Sequence, residues 1–192
     1  GKTTLAHALE TRLFEQGRAV TVLDGQNLRL GISGDLGFSA DERSENLRRA
    51  AEIAKLMNDA GLIVLAAFVA PQAAILARVR ELIGPERVRV AHLAAPVEVC
   101  RSRDKTGRYA AADHGEIQNF PGVSAPYEAP PHADVVVPTH QWPVEQCVER
   151  LLAELSEFFR CDDSSPTIQS TLSPNSTRLA AGSVPRAVRA VG

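Results

Sequence analysis

Four short apolar runs alternate with longer stretches of helical periodicity, and this alternation constrains the fold more than any other feature of the chain. Residues 19–23, 62–69, 87–93 and 134–138 have strand length and are rich in β-branched side chains. Helical spacing runs from residue 3 to 16, from 40 to 60 and from 72 to 83; Pro96 opens a short helix to Arg103, and 144–159 reads as a closing amphipathic helix. The pattern predicts an α/β fold of three layers: a mainly parallel sheet with right-handed crossovers and helices on both faces. With 192 residues, 44% of them hydrophobic, the chain supports one core. That domain is expected over residues 1–160. From 161 to 192 no aromatic residue occurs and Ser, Thr, Pro and Ala dominate, so this segment is expected to be disordered.

The first residues, Gly1-Lys2-Thr3-Thr4, match the end of the phosphate-loop pattern G-x-x-x-x-G-K-[ST], and the periodic segment behind them is the helix such a loop feeds. In that pattern backbone N–H groups and the helix N-terminus cradle phosphates, the lysine reaches the β/γ-phosphates, and the hydroxyl ligates Mg²⁺. Lys2 and Thr3 fit those two roles. Because the pattern is cut and no Met precedes it, the sequence is expected to be a piece of a longer product, without the sheet's first strand and half the phosphate cradle. Little phosphoryl transfer is expected from the piece alone.

Asp24-Gly25-Gln26-Asn27-Leu28-Arg29 follows the first apolar run, at the strand end where ligands bind in open α/β sheets. Asp24 there can hold Mg²⁺ or accept a proton from an attacking hydroxyl. It can equally cap its own loop as an Asx turn, with Arg29 solvated; the pattern leaves both open. Ser39-Ala40-Asp41-Glu42 has capping-box spacing. Arg43 and Asn46, three residues apart, share a polar helix face and with Arg29 can grip a planar anion, or else that face is solvated and Glu45, Arg48 and Arg49 pair among themselves. Phe38 and Phe120 are loop aromatics able to sandwich a base or to serve as packing staples. The stretch 104–131, rich in Gly and Pro, lacks lasting periodicity and is expected to be a lid or binding loop.

A net charge of −2 gives no general attraction to nucleic acid or to an anionic membrane. No apolar run approaches the roughly 20 residues of a membrane span. Cys100, Cys147 and Cys161 are odd in number and lack C-x-x-C spacing, which argues against a disulfide framework or a zinc site and fits the cytoplasm. The five His residues have no metal-ligand spacing.

Taken together these segments resemble the adenylylsulfate (APS) kinases, which transfer the γ-phosphoryl of ATP to the 3′-hydroxyl of APS and give PAPS in sulfate assimilation. The likeness runs from Gly1 to about Leu155. It rests on Leu23-Asp24-Gly25-x-Asn27-x-Arg29, Asp35-Leu36-Gly37-Phe38-Ser39, residues 42–49, Ala54-Lys55-Leu56-Met57, residues 59–64, Gly115-Glu116-Ile117 and Pro126-Tyr127-Glu128. It implies a P-loop fold, with ATP and Mg²⁺ bound through Gly1, Lys2, Thr3 and Thr4, metal at Thr3 and Asp24, and Lys2 and Asp24 acting in transfer. It also implies that Asn27, Arg29, Phe38, Arg43, Asn46, Val69 and Phe120 contact APS, Phe38 and Phe120 by stacking on adenine. Cys147 matches a position near the ATP adenine. Homodimers and fusion to an ATP sulfurylase component occur in such proteins.

Three departures stand out. The family's second carboxylate is Gln26, and an amide cannot take a proton from the acceptor. Where the lid has Gly-Leu-Tyr-Lys-Lys-Ala-Arg, this chain reads Gly107-Arg108-Tyr109-Ala110-Ala111-Ala112-Asp113, leaving Lys105 and Arg108 as partial substitutes for the lost cations. Phe68-Val69-Ala70-Pro71 replaces Phe-Ile-Ser-Pro, and Gln72-Ala73-Ala74 follows where an Arg is usual. An impaired nucleotide-binding module of a sulfate-activation protein and a P-loop kinase for another small hydroxylated substrate are the alternative readings.

Overall fold

Residues 62–69 are apolar without alternation because the strand they form is covered on both faces. The computed structural model describes residues 1–70, 72–159 and the backbone of 187–191. In chain order these form α1 (Lys2–Glu15), β1 (Val20–Asp24), α2 (Gly25–Arg29), α3 (Ala40–Asp59), β2 (Ile63–Phe68) and α4 (Ala73–Ile83). A 3₁₀ turn at Pro85–Arg87 leads to β3 (Val88–Ala94), α5 (Val97–Ser102), α6 (Arg108–Asp113), β4 (Val135–Pro138), α7 (Val144–Glu154), α8 (Ser156–Phe159) and β5 (Ala187–Val191). The sheet order is β1-β2-β5-β3-β4, with every pairing parallel.

Period two sorts the side chains of the sheet between two helical layers. Ile63, Leu65 and Ala67 of β2, with Leu93 and Val137, pack among Leu5, Leu9 and Leu13 of α1 and Val148 and Leu151 of α7. Val64 and Phe68, with Val88 and Val90, pack among Leu47, Ala50 and Ala54 of α3 and Leu76 and Val79 of α4. The alanines of α3 let that helix lie close to the sheet. Each large side chain so buried contributes about 1.5–3 kcal/mol.

The helix ends are set by the residues that sequence spacing marked. Gly17, at φ +75°, follows α1 as its C-terminal stop. At the start of α3 the Ser39 amide donates to Glu42 Oε2 at 3.0 Å, and the Glu42 amide donates back to Ser39 Oγ at 3.3 Å. Glu42 also accepts from the Gly37 amide at 2.9 Å, and a Cβ at Gly37 would stand 2.8 Å from Glu42 Oε2. The Ser39 hydroxyl and these two amides hold the Glu42 carboxyl below its usual range. Ser39→Ala is expected to cost about 1 kcal/mol of stability in denaturant unfolding and to loosen the 36–39 loop.

The structure departs from the sequence expectation in four places. Asn27 and Arg29 lie on the short helix α2 rather than in a loop, because Asp24 caps it by accepting from the Gln26 amide at 2.7 Å. Within 104–131 a helix, α6, forms where three consecutive alanines follow Arg108-Tyr109. The closing helix breaks at Leu155 into α7 and α8. Ala187–Val191, inside the segment expected to be disordered, forms β5 in the middle of the sheet, where the expected domain had left out a strand. Ladder hydrogen bonds on both edges stabilise such a strand without any aromatic residue, a contribution that a reading from composition omits. The remainder of the expected tail, 160–186 and 192, lies outside the described residues. Among the described residues no helix is long and apolar enough to cross a membrane.

Candidate functional site

The predicted site residues gather where parallel strands end and helices begin, the edge of an open α/β sheet that binds ligands. α1 starts there, with Gly1 as its N-cap and the Gly1 carbonyl accepting from the Leu5 amide at 2.9 Å. The first-turn N–H groups and positive dipole end of this helix favour an anion. The Thr3 hydroxyl donates to Asp24 Oδ2, which joins the first turn of α1 to the end of β1. Asp24 is buried, and its other oxygen holds the Gln26 amide. Of the two roles that sequence left open for Asp24, the structure shows the cap, through Oδ1, while Oδ2 accepts from the phosphate-loop threonine. Burial lowers the Lys2 pKa, while Cys100 and then Asp24 act against that shift and favour the ammonium. Thr4 is exposed in the same first turn.

A second group surrounds Phe38, which is 44% exposed. Arg29 donates from Nε and Nη2 to the Gly37 carbonyl at 3.3 and 3.0 Å and from Nη1 to the Gly25 carbonyl at 3.3 Å. Arg43 donates from Nε to the Phe38 carbonyl at 2.9 Å and from Nη2 to the Asn119 carbonyl at 3.3 Å, so it bridges the 36–39 loop to the loop carrying Phe120. Both guanidiniums lie against the Phe38 ring, their central carbons 4.6 and 5.4 Å from its centroid. Burial lowers both pKa values, and the positive charge of Arg108 lowers them further. Asn46, one turn along α3, is 2% exposed, and its Oδ1 has no hydrogen-bond partner among the described residues. A buried carbonyl left open in this way costs about 1–3 kcal/mol unless a ligand donor meets it.

The pairing expected within 45–49 is present and fixes the base of this group. Arg49 donates to both oxygens of Asp35, at 2.5 and 2.8 Å, and to Glu45 at 2.9 Å. Hydrogen bonds from Arg48 and Arg49 hold the Glu45 carboxyl down at about 2. Arg49 thus ties α3 to the loop while Arg48 pairs along the helix, and Arg29 and Arg43 are left to face Phe38.

The segment expected to be a lid carries α6, a short helix with two anchors. Asp104 accepts from the Tyr109 amide at 2.8 Å and from Thr106, which keeps its carboxyl near 2. Arg101 of α5 pairs with Asp113, so the acid standing where the related lid has an arginine meets a cation from the neighbouring helix. Tyr109 meets Phe120 edge-on at 4.9 Å between centroids. Burial, and then the adjacent Cys100, push the Tyr109 hydroxyl up to about 12.

Sequence reasoning missed Tyr109 as the ring partner of Phe120 and Glu128 as an anchor; Glu128 accepts from the Ala73 amide at 3.1 Å, at the start of α4. An acid pairing with a helix start 55 residues away has no local signature. Val69 and Asn27 lie at the same sheet edge, half-buried and exposed. Cys147 lies on α7. It is 2% exposed in the core between α1 and α7, where its thiol donates to the Trp142 carbonyl at 3.8 Å and burial raises its pKa. Among the described residues no cluster of three or more His, Cys, Asp or Glu could hold a metal by itself. A hydroxyl touching a carboxylate, as at Thr3 and Asp24, instead fits Mg²⁺, which takes one or two protein oxygens and completes its shell with phosphate and water.

Comparison with known proteins shows the family. The family model described as adenylylsulphate kinase matches residues 1–138. The chain is 49% identical over 162 residues to the bifunctional enzyme CysN/CysC of Rhodopirellula baltica, over 83% of this chain but only a quarter (25%) of that protein. It is 49% identical over 152 residues to the adenylyl-sulfate kinase of Shewanella amazonensis, covering 79% of this chain and 77% of that one. The solved structure of the Mycobacterium tuberculosis APS kinase CysC in complex with AMPPNP and APS superposes with a TM-score of 0.73 at 34% identity, over 81% of this chain and 91% of that chain. The family match over residues 1–138, from the first residue to the last of β4, with 49% identity to an adenylyl-sulfate kinase over most of both chains, places the chain in the adenylylsulphate kinase family, ATP-dependent kinases of P-loop fold.

Proposed function

We propose that the protein carrying this chain phosphorylates the 3′-hydroxyl of adenylylsulfate with the γ-phosphoryl of ATP. The observation that carries this reading is the juxtaposition of two anion-binding groups along one sheet edge. One is the α1 N-terminus with Lys2, Thr3 and Asp24; the other is the Arg29–Arg43 pair around Phe38. Phosphoryl transfer is mostly positioning and stabilisation of charge, and these residues supply both. The amides of the first turn of α1 and the Lys2 ammonium bind the β- and γ-phosphates of ATP. Thr3 and Asp24 would hold Mg²⁺, which when bound would neutralise charge on the phosphates. Arg29 and Arg43 bind the acceptor's anionic groups, Phe38 and Phe120 stack its base, and Asn46 Oδ1 accepts from an exocyclic amine. Asp24 takes up the proton of the acceptor hydroxyl, because Gln26 has no carboxylate to do so.

A second reading, a nucleotide-binding module without turnover, is favoured by Gln26 and by Ala110 and Ala111 in the lid. The deciding measurement is PAPS formation from ATP and APS by the whole protein beside a Gln26→Asp, Ala110→Lys, Ala111→Lys variant. Turnover by the unaltered protein is expected, with the variant faster by about 10-fold or more if each restored charge acts on the transition state. A silent parent whose variant forms PAPS makes it a binding module; silence in both overturns the kinase reading.

A further inference from the structure

We infer that Arg108, on the lid helix α6, is a third guanidinium of the acceptor site and binds the phosphosulfate group of adenylylsulfate. The inference rests on the proposed function and adds to it a residue outside the acceptor contacts named there.

The observation is a convergence of cations. The guanidinium carbon of Arg108 lies 5.6 Å from the centroid of the Phe38 ring, beside Arg29 at 4.6 Å and Arg43 at 5.4 Å. Arg29 and Arg43 donate to backbone carbonyls of the 25–38 and 119 segments. The Arg108 guanidinium makes no hydrogen bond or ion pair among the described residues; its contact there is the Phe38 ring. The carboxylate nearest in charge terms, Glu42, raises the pKa of Arg29, but its oxygens are engaged by Gly37 and Ser39. Three guanidiniums thus stand around one ring with their repulsion only partly compensated. An anion with several oxygens relieves that repulsion and gives Arg108 the bidentate partner it lacks.

Placement on α6 makes the contact specific rather than incidental. Arg108 is the only Lys or Arg of this helix, whose sequence is RYAAAD. The helix is pinned at one end by Asp104, which accepts from the Tyr109 amide, and at the other by the Arg101–Asp113 pair. Lys105, three residues earlier, precedes the helix, and the cations against the Phe38 ring among the described residues are Arg29, Arg43 and Arg108. Arg108 is therefore the lid cation whose position the fold sets. Because Tyr109, its neighbour in sequence, packs edge-on against Phe120, the lid delivers an aromatic and a charge to the same ligand.

The test is equilibrium binding of APS and of adenosine, which lacks the phosphosulfate, to the whole protein and to Arg108→Ala and Arg108→Lys variants. Arg108→Ala is expected to weaken APS binding by roughly 10- to 100-fold, the range for a hydrogen bond to a charged group, and to leave adenosine binding within about twofold. Arg108→Lys is expected to recover part of the loss, since it restores charge without the planar fork. APS bound equally by wild type and Arg108→Ala overturns the assignment and leaves the proposed function standing. A similar loss for adenosine also overturns it, since that marks a packing role for the side chain. Wild-type protein that binds adenosine but not APS overturns both.

Discussion

Lys2→Ala is expected to lower the rate of PAPS formation by about 10³-fold. The side chain leaves the first turn of α1, beside Gly1 and Thr3, where helix amides and dipole already favour phosphate. Burial opposes its charge, and in a partly buried setting an ammonium interacts more strongly with a phosphoryl oxygen than an exposed lysine does. The effect should fall mainly on kcat, because the γ-phosphoryl gains most from the cation as charge builds in the transition state. Lys2→Arg should rescue little: a planar fork does not fit where a point charge reaches between two phosphates. Steady-state kinetics with circular dichroism on each variant tests this; an unchanged kcat in a folded Lys2→Ala protein would sink the assignment.

The second large effect separates two duties of one carboxylate. Asp24 caps α2 through Oδ1 and meets the Thr3 hydroxyl through Oδ2. Asn caps a helix about as well as Asp, so Asp24→Asn should keep α2 and leave the unfolding midpoint nearly unchanged. It removes a hard anionic ligand and a proton acceptor, and turnover should fall by about 10²-fold or more, with a higher Mg²⁺ requirement. Asp24→Ala loses the cap as well and should cost a further ~1 kcal/mol of stability. If Asp24→Asn turns over normally at ordinary Mg²⁺, Asp24 is a cap and nothing more.

What could be read from sequence was whatever depends on near neighbours. The strand–helix alternation located most of the helices and four of the strands to within a few residues. Ser39 and Glu42 met as their spacing implied, and Arg43 and Asn46 were placed one turn apart on a polar face of α3. What could not be read depends on where a distant segment lands. Nothing near Asp113 reveals Arg101 as its partner, and nothing near Arg108 reveals Phe38, because α6 must first fold over the site. Cys147 was placed by position alone, and the burial of its side chain in the core turns on which way α7 faces. The strand at 187–191 was hidden by a composition that argues against a core but does not prevent five residues from joining a ladder.

The placement of that strand bears on how the molecule assembles. Among the described residues, β2 and β3 do not pair with each other; each pairs with β5, so the β1–β2 and β3–β4 halves are joined through a segment far along the chain from both. Contacts this remote in sequence must close a long loop before they return any free energy, which places the completed sheet among slow, high-contact-order folding events. Within the described residues β5 is therefore the seam of the sheet, and a change that stops it pairing, such as Arg189→Pro, leaves the inner edges of β2 and β3 as open templates for strands of other chains.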